Sequence, residues 1–274
     1  MGTTLVIEGG QAEFAAKFSH YTPEGARKIG AELELYLVRK RTNGGGLVYV
    51  PAAQEVLEAA WARDPASREW LHYEWSACQV EVITDPCLRV SELVDQLMKR
   101  VAFAQQIAGE LGYELVATEW IPLEANLPEV IYPDPRYLAF AATHPRHSHY
   151  MCRVASLQFH VGVGTLEEGL RVHHAFVTAL SALLAEGWAH PDRVQAFHDV
   201  IFAPNWFPPA YKSVDDLWEH AQAREFHHQP ANNWSAVRLH HKWPTVELRI
   251  GGTTLDRGII WRRARRAYTL AFGS

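Results

Sequence analysis

Four stretches of this chain alternate apolar and polar residues with a strict period of two, and each carries chemistry-bearing side chains on its polar face. The first is Gly30-Ala31-Glu32-Leu33-Glu34-Leu35-Tyr36-Leu37-Val38. Leu33, Leu35 and Leu37 fall on one side, and Glu32, Glu34 and Tyr36 on the other. The second ends in Gln79–Thr84, with Val80 and Val82 opposed to Gln79 and Glu81. The third, Ser156–Val163, sets Leu157, Phe159, Val161 and Val163 against Ser156, Gln158, His160 and Gly162. The fourth, Thr245–Ile250, sets Val246, Leu248 and Ile250 against Thr245, Glu247 and Arg249, and Val237-Arg238-Leu239-His240 precedes it. Strands are depleted in glutamate, and two glutamates on one strand face repel each other. Any one of these faces reads equally as a solvated sheet surface. Taken jointly, they predict an α+β fold: a curved, mostly antiparallel sheet with helices packed on its apolar face and a cavity on the other.

The intervening segments supply those helices. A strand or arm at Thr4–Ile7 and a short amphipathic helix around Gln11–Phe18 come first. Asn43-Gly44-Gly45-Gly46 predicts a reversal into a short strand at Leu47–Val50, and Pro51 starts a helix running to about Ala62. Helical spacing covers 90–111 and 166–187, with further helices near 191–199, over 213–224 behind the capping Ser213, and from about Leu255. Tyr113–Thr118 reads as a short strand. The proline- and histidine-rich residues 119–150 show no period and read as a long functional loop, and Phe202–Pro209 as an aromatic–proline loop. His144, His147 and His149 read as solvated or hydrogen-bonded, and the tandem His173-His174 as a helix surface at the core edge. The arginine-rich terminal helix is explained by the helix dipole and solvation. No internal repeat divides the chain, so residues 1–274 are read as one domain.

A net charge of −5 argues against general nucleic-acid binding. The three cysteines, Cys78, Cys87 and Cys152, are odd in number and widely spaced, which reads as reduced thiols in a cytoplasmic protein. No apolar run is long enough to cross a bilayer, so no membrane partner is expected. Ten tryptophans and fifteen histidines suit a ligand cleft, although tryptophan is also an ordinary core residue.

If the four strands share one sheet, Glu32, Glu34, Glu81 and Glu247 converge on one concavity. Divalent cations are the natural neutraliser of such a cluster. Oxygen-rich ligation without thiolate suits Mg²⁺ or Mn²⁺ better than Zn²⁺. Arg238 and Arg249 suit phosphate or carboxylate oxygens. Carboxylates, divalent ions and arginines together equip a site for phosphoryl transfer from a nucleotide, and the chain has neither a Walker loop nor a Rossmann fingerprint.

Gly30-Ala-Glu32-Leu-Glu34 resembles the opening G-x-E-x-E strand of the type 2 glutamate–cysteine ligases, the carboxylate–amine ligases of the glutamine synthetase superfamily. Glu74 with Gln79-Val-Glu81-Val-Ile-Thr84 is similar to that family's second acidic pair. Pro135-Arg136-Tyr137 resembles its arginine–tyrosine element, Gln158-Phe-His160-Val-Gly162 its histidine strand, and Thr245-Val-Glu247-Leu-Arg249 with Asp256 its T-V-E-x-R strand. The order is kept from Gly30 to Asp256. The resemblance implies a glutamine synthetase-like catalytic domain with a metal and nucleotide cavity. It implies use of ATP and Mg²⁺ to phosphorylate a glutamate-like carboxylate, and attack by an amine on the acyl phosphate. By the same resemblance Glu34, Glu74 and Glu81 hold one metal, and Glu32, Gln158 and Glu247 another. Arg249, Arg238 and Glu247 are the catalytic set, and His160 joins the two arginines on the nucleotide phosphates. Small-molecule substrates are the implied partners, and a homo-oligomer is left open.

Two departures from the family pattern stand out. Its first histidine is Gln158 here, whose carbonyl oxygen can still bind Mg²⁺. The sequence also stops shortly after the T-V-E-x-R strand, where many relatives continue with a further helical region. These departures motivate two alternatives: a metal-dependent amide or peptide hydrolase on the same fold, and a non-catalytic binding homologue.

Overall fold

The computed structural model describes residues 8–18, 20–40, 46–201, 206–228, 230 and 233–273. Helix α1 (Glu8–Ala16) leads into the long strand β1 (Ile29–Lys40). Next come β2 (Leu47–Tyr49), α2 (Ala53–Arg63), β3 (Leu71–Tyr73), β4 (Gln79–Ile83), α3 (Val90–Glu110) and β5 (Glu114–Val116). Helices α4 (Pro135–Thr143) and α5 (Pro145–Met151) precede β6 (Ser156–Gly162), α6 (Leu166–Ala185), α7 (Pro191–Ala196) and α8 (Val214–Ala223). Strands β7 (Val237–Leu239) and β8 (Thr245–Gly252) and helix α9 (Arg257–Phe272) complete the order. The expected strand at Thr4–Ile7, most of the Asn43–Gly46 reversal and part of the Phe202–Pro209 loop lie outside the described residues.

The expected α+β sheet is present, and all of its pairings are antiparallel. Its order is β3-β4-β1-β6-β8-β7, with β2 and β5 both paired to the distal half of β1. The organising strand is thus central: β4 lies on one edge of it and β6 on the other. Leu33, Leu35 and Leu37 are fully buried with Val80, Val82, Leu157 and Phe159 in one apolar layer. Each such side chain contributes about 1.5–3 kcal/mol by leaving water. Helix α3 packs on β1 and β4, α6 on β7 and β8, and α9 on β6, with α9 touching both other helices. Helix α9 turns Ile260, Ala264, Ala267 and Ala271 inward at helical spacing, so its arginines fall outside the core stripe.

The opposite face carries the polar residues. A second apolar cluster containing Tyr36, Trp75, Cys78, Ile121 and Cys152 closes it at one end, where Tyr36 Oη donates to the Cys152 carbonyl at 2.9 Å. The region 119–150 corrects the sequence expectation, because it holds α4 and α5. Both begin with proline at the first helical position, where the missing N–H costs nothing and the fixed φ is already helical. Asp134 caps α4 by accepting from the Arg136 N–H at 2.8 Å. Within this region His149 Nδ1 lies 2.7 Å from Glu129 Oε2, and His144 Nδ1 lies 2.8 Å from Thr143 Oγ1. His173 is fully buried and stacks on Tyr211 at 4.5 Å, whereas His174 is exposed.

Gly162 ends β6 where the 23–25 turn crosses it. A Cβ at this position would meet the Gly25 carbonyl oxygen at 1.9 Å. Gly162 N–H donates to the Lys28 carbonyl at 2.7 Å, and Arg27 N–H donates to the Gly162 carbonyl at 2.9 Å. The clash is with backbone, so no side chain can rotate away from it. Gly162→Ala is expected to lower unfolding stability by about 2–3 kcal/mol. Chemical denaturation of the two proteins checks this; a loss below about 0.5 kcal/mol would show that the turn is free to move.

Candidate active site

Register brings the polar residues together. Glu34 pairs directly with Glu81 across β1 and β4, Glu32 with Gln158 across β1 and β6, and His160 with Glu247 across β6 and β8. Arg238 on β7 faces Glu247 from the far side. The β6–β8 register shifts opposite Gln158, giving β8 one extra residue between Leu248 and Gly251. Such a bulge bends the strand and changes which residues face the cavity beyond Arg249. Glu74 comes from the β3–β4 connection.

Two groups of ligand-type side chains result. Glu34, Glu74 and Glu81 each offer an oxygen within 4.8 Å of the others, and so do Glu32, His160 and Glu247 with one atom each. His160 Nε2 lies 2.9 Å from Glu32 Oε1, and His160 Nδ1 is 3.2 Å from Thr245 Oγ1. Gln158 turns its amide to the other group: Nε2 donates to Glu34 Oε1 at 2.8 Å, while its buried Oε1 has no hydrogen-bond partner. The second group is therefore gathered around His160, two residues along the strand from the glutamine expected there. Pro135-Arg136-Tyr137 lies at the start of α4, and Tyr137 reaches the cavity beside Glu74.

The two groups differ in charge balance. Glu247 is fully buried and accepts from Arg238 Nε on one oxygen and Arg249 Nη1 on the other. Burial raises its carboxyl, but Arg238 and Arg249 outweigh that and hold it well below the usual range. Burial likewise raises Glu32, and the charge and hydrogen bond of His160, helped by Arg249, bring it below an ordinary carboxylate. Burial dominates in the first group. It pushes Glu34 up to about 7, and Arg193, the Ser156 N–H and Arg249 only partly offset it. Glu74 is pushed up to about 8 by burial and then by the charge of Glu34. Glu81 is also raised well above the ordinary carboxylate range, by burial first and then by Glu32, Glu74 and Glu34.

Arg193 has no counterpart in the sequence expectations. It is fully buried on α7, donating Nη1 to the Ile250 carbonyl and Nη2 to Ser156 Oγ, both at 2.7 Å. A lone arginine on a six-residue helix carries no spacing signal that could have flagged it.

The donor set suits hard divalent cations, being carboxylate oxygens, one imidazole and the orphaned Gln158 carbonyl oxygen, with no thiolate. The raised carboxyls of the first group have a thermodynamic consequence. Glu34 takes up its proton at about 7 in the fold and 4.5 when free, so the metal-free fold is favoured below about 4.5 and loses that stability as pH rises through 7. The loss from Glu34 alone is on the order of 3 kcal/mol. Melting temperature of metal-free protein is expected to fall between pH 5 and 8.5, and millimolar Mg²⁺ to restore it more at pH 8.5 than at pH 5. A flat profile would remove the uncompensated charge from this account.

Two cavities are each lined by part of these groups. One, of about 170 Å³, is lined by Glu34, Glu74, Arg238 and Arg249 together with an aromatic wall. The other, of about 300 Å³, is lined by Glu32, His160, Lys28, Thr84, Gly30 and Trp243 among others. Glu32 and Glu34, two residues apart on β1, open into different cavities.

A sequence profile of glutamate-cysteine ligase family 2 matches residues 28–187. The chain belongs to this family. The match contains Glu32, Glu34, Glu74, Glu81, Gln158 and His160, while Glu247 and Arg249 lie beyond it. A Nocardioides sp. protein, whose name proposes it as glutamate–cysteine ligase 2-1, is 29% identical over 165 residues, which is 58% of this chain and 42% of that protein. The match thus spans well under half of that family member. Among solved structures, Plasmodium falciparum glutamine synthetase has a TM-score of 0.51 at 9% identity, covering 96% of this chain and 55% of its own. A bifunctional glutathione synthetase from Pasteurella multocida has a TM-score of 0.52 at 12% identity, covering 97% and 40%. At these identities the likeness is one of fold, and it matches the glutamine synthetase-like architecture expected of the family. Among the described residues no helix is long and apolar enough to cross a membrane.

Proposed function

We propose that residues 1–274 act as one catalytic domain of an ATP- and Mg²⁺- or Mn²⁺-dependent carboxylate–amine ligase that forms an amide through an acyl phosphate. The observation that carries this reading is the pair of ligand groups on one sheet face, with members of each lining a separate cavity and two arginines beside Glu247. Phosphoryl transfer needs donor and acceptor to lie close together, and separate cavities lined by Glu32 and by Glu34, two residues apart on one strand, support that reading. Divalent ions, when bound, supply neutralisation of the phosphate oxygens.

The chain's own residues do the rest. Glu34, Glu74 and Glu81 are assigned one cation, and Glu32, His160 and Glu247 the other, with the buried Gln158 Oε1, which has no hydrogen-bond partner, as a further oxygen donor. The cavity with Lys28, His160 and Trp243 takes the nucleotide, because a cation and an imidazole suit phosphate and an indole suits a base. The cavity with Glu34 and Glu74 takes the acceptor acid. Arg238 and Arg249, which line the cavity with Glu34 and Glu74, stabilise charge on the phosphoryl group in transit. Glu247 locks both guanidinium groups in place, so they need not reorganise during transfer.

Incubation with ATP, Mg²⁺, hydroxylamine as the amine and a panel of carboxylic acids tests the reading. ADP and a hydroxamate are the expected products. Absence of ADP together with absence of nucleotide binding would discard it, and amide cleavage without nucleotide would favour a hydrolase.

A further inference from the structure

Arg193 is fully buried, yet its guanidinium donates to neutral oxygens, the Ile250 carbonyl and Ser156 Oγ. Among the described residues it makes no ion pair. A buried guanidinium without a carboxylate at contact distance costs stability, so packing alone does not account for it. Burial lowers it to about 10, and Glu119 and then Glu34 partly offset that, so it stays charged at neutral pH. Its two acceptors sit where the sheet is irregular. Ile250 is one of the two β8 residues set against Gln158, and Ser156 opens β6 opposite Gly252. From there the contacts run on to Glu34. The Ser156 N–H donates to Glu34 Oε2 at 2.7 Å and Gln158 Nε2 donates to Glu34 Oε1 at 2.8 Å. Thr253 Oγ1 donates to the Glu34 carbonyl at 2.6 Å. Ser156 and Phe197 line the cavity beside Glu34, and the Arg193 guanidinium lies 4.4 Å from the centre of the Phe197 ring. Arg193 itself is not among the described residues that line the cavity.

We propose that Arg193 is a positioning residue for the Glu34 cation group, a role that rests on the ligase reading above. It ties the start of β6 to the bulge of β8 and so holds the Ser156 N–H against Glu34. The last torsion of a glutamate is broad, and a carboxylate without fixed donors turns easily. Here each oxygen of Glu34 accepts one hydrogen bond from β6, which fixes the plane of the carboxylate and leaves lone pairs for a cation. Those donors are only as fixed as β6 is. A bulge interrupts the ladder between two strands, so β6 and β8 hold each other least well opposite Gln158. The planar fork of Arg193 spans that gap by donating to one oxygen on each strand. Ile250 directly follows Arg249, so the same clamp steadies the segment that carries this second arginine. The charge of Arg193 by itself would act against a bound cation, because like charges repel. Positioning and plain repulsion therefore predict opposite results when Arg193 is removed.

Calorimetry of the full chain with Mg²⁺ alone tests the role. Arg193→Met is expected to weaken Mg²⁺ binding about 10-fold. In the ADP-release assay it is expected to lower kcat about 10-fold with KM for ATP unchanged. Ser156→Ala keeps the backbone N–H that reaches Glu34 and removes only the hydroxyl that Arg193 holds, and about a 3-fold loss of Mg²⁺ affinity is expected. Arg263→Met is the control. Arg263 on α9 donates to the Gly252 carbonyl at 2.7 Å and the Gly187 carbonyl at 2.9 Å, so it braces the same strand without a bond to Ser156 or Ile250. Its loss is expected to lower the melting temperature and leave Mg²⁺ affinity unchanged. Unchanged or tighter Mg²⁺ binding in Arg193→Met overturns the assignment, and so does an equal loss in Arg263→Met. If Arg193→Met does not fold, Ser156→Ala decides: weakened Mg²⁺ binding supports the assignment and unchanged binding overturns it. Because calorimetry needs no turnover, failure of every acid to support ADP release discards the ligase reading and leaves the Arg193 result standing. A parent chain that binds no Mg²⁺ overturns both.

Discussion

Replacing Arg249 with alanine is expected to lower kcat about 1,000-fold at saturating nucleotide. The guanidinium lines the cavity beside Glu34 and Glu74 and donates to one oxygen of the fully buried Glu247, so its position is fixed without a ligand. A preorganised charge acts on the transition state without a reorganisation cost, which is why its loss appears in kcat. Arg249→Lys keeps the charge but loses the planar fork, and a loss of about 10- to 100-fold is expected. The alanine variant also leaves Glu247 with one fewer cation, which costs about 3 kcal/mol of stability. Turnover is therefore compared at a temperature where melting curves show both proteins folded. A kcat within 10-fold of the parent would remove Arg249 from the phosphoryl path.

The second large effect lies at Glu81. Glu81→Gln is expected to weaken Mg²⁺ or Mn²⁺ binding, measured by calorimetry, by about 100-fold, because a hard cation loses one of three anionic ligands. The same substitution is expected to raise the melting temperature of the metal-free protein at pH 8. Burial and the charges of Glu32, Glu74 and Glu34 already push the Glu81 carboxyl well above its ordinary range, so a neutral amide relieves repulsion. The opposite signs are the point of the experiment. A residue held only for packing would lower stability and leave cation affinity alone, and unchanged affinity would exclude Glu81 as a ligand.

The sheet was legible because a period of two leaves little freedom. Once Leu33, Leu35 and Leu37 are buried, Glu32 and Glu34 have no choice of face. The helical layer was legible for the same kind of reason, since α3, α6 and α9 carry long apolar stripes. Helices α4 and α5 were not, because residues 119–150 show no period; the two helices are short, and Pro135 and Pro145 each occupy a first helical position. Strand β3 is three residues long, too short for any period to show. At the site, alternation identifies the face but cannot say which of two residues on it reaches a neighbour. Gln158 and His160 share a face, and only the register with Glu32 and Glu247 and the lean of the side chains separate their surroundings. The aromatic wall was hidden for another reason: Trp75, Phe197 and Trp234 are far apart in sequence and meet only in the fold.

Strand β1 also acts as a ruler. Glu32 and Glu34 sit two residues apart on one extended backbone, so the interval between their Cα atoms is set by peptide geometry at roughly 7 Å. Hydrogen-bonded neighbours on both edges hold that backbone straight. Side-chain changes in the helical layer can weaken the fold, but they cannot stretch this interval. Robustness and the spacing of these two carboxylates are consequently separable in this chain. Substitutions in α3, α6 or α9 should lower the temperature at which activity disappears while leaving the rate of the surviving folded molecules almost untouched.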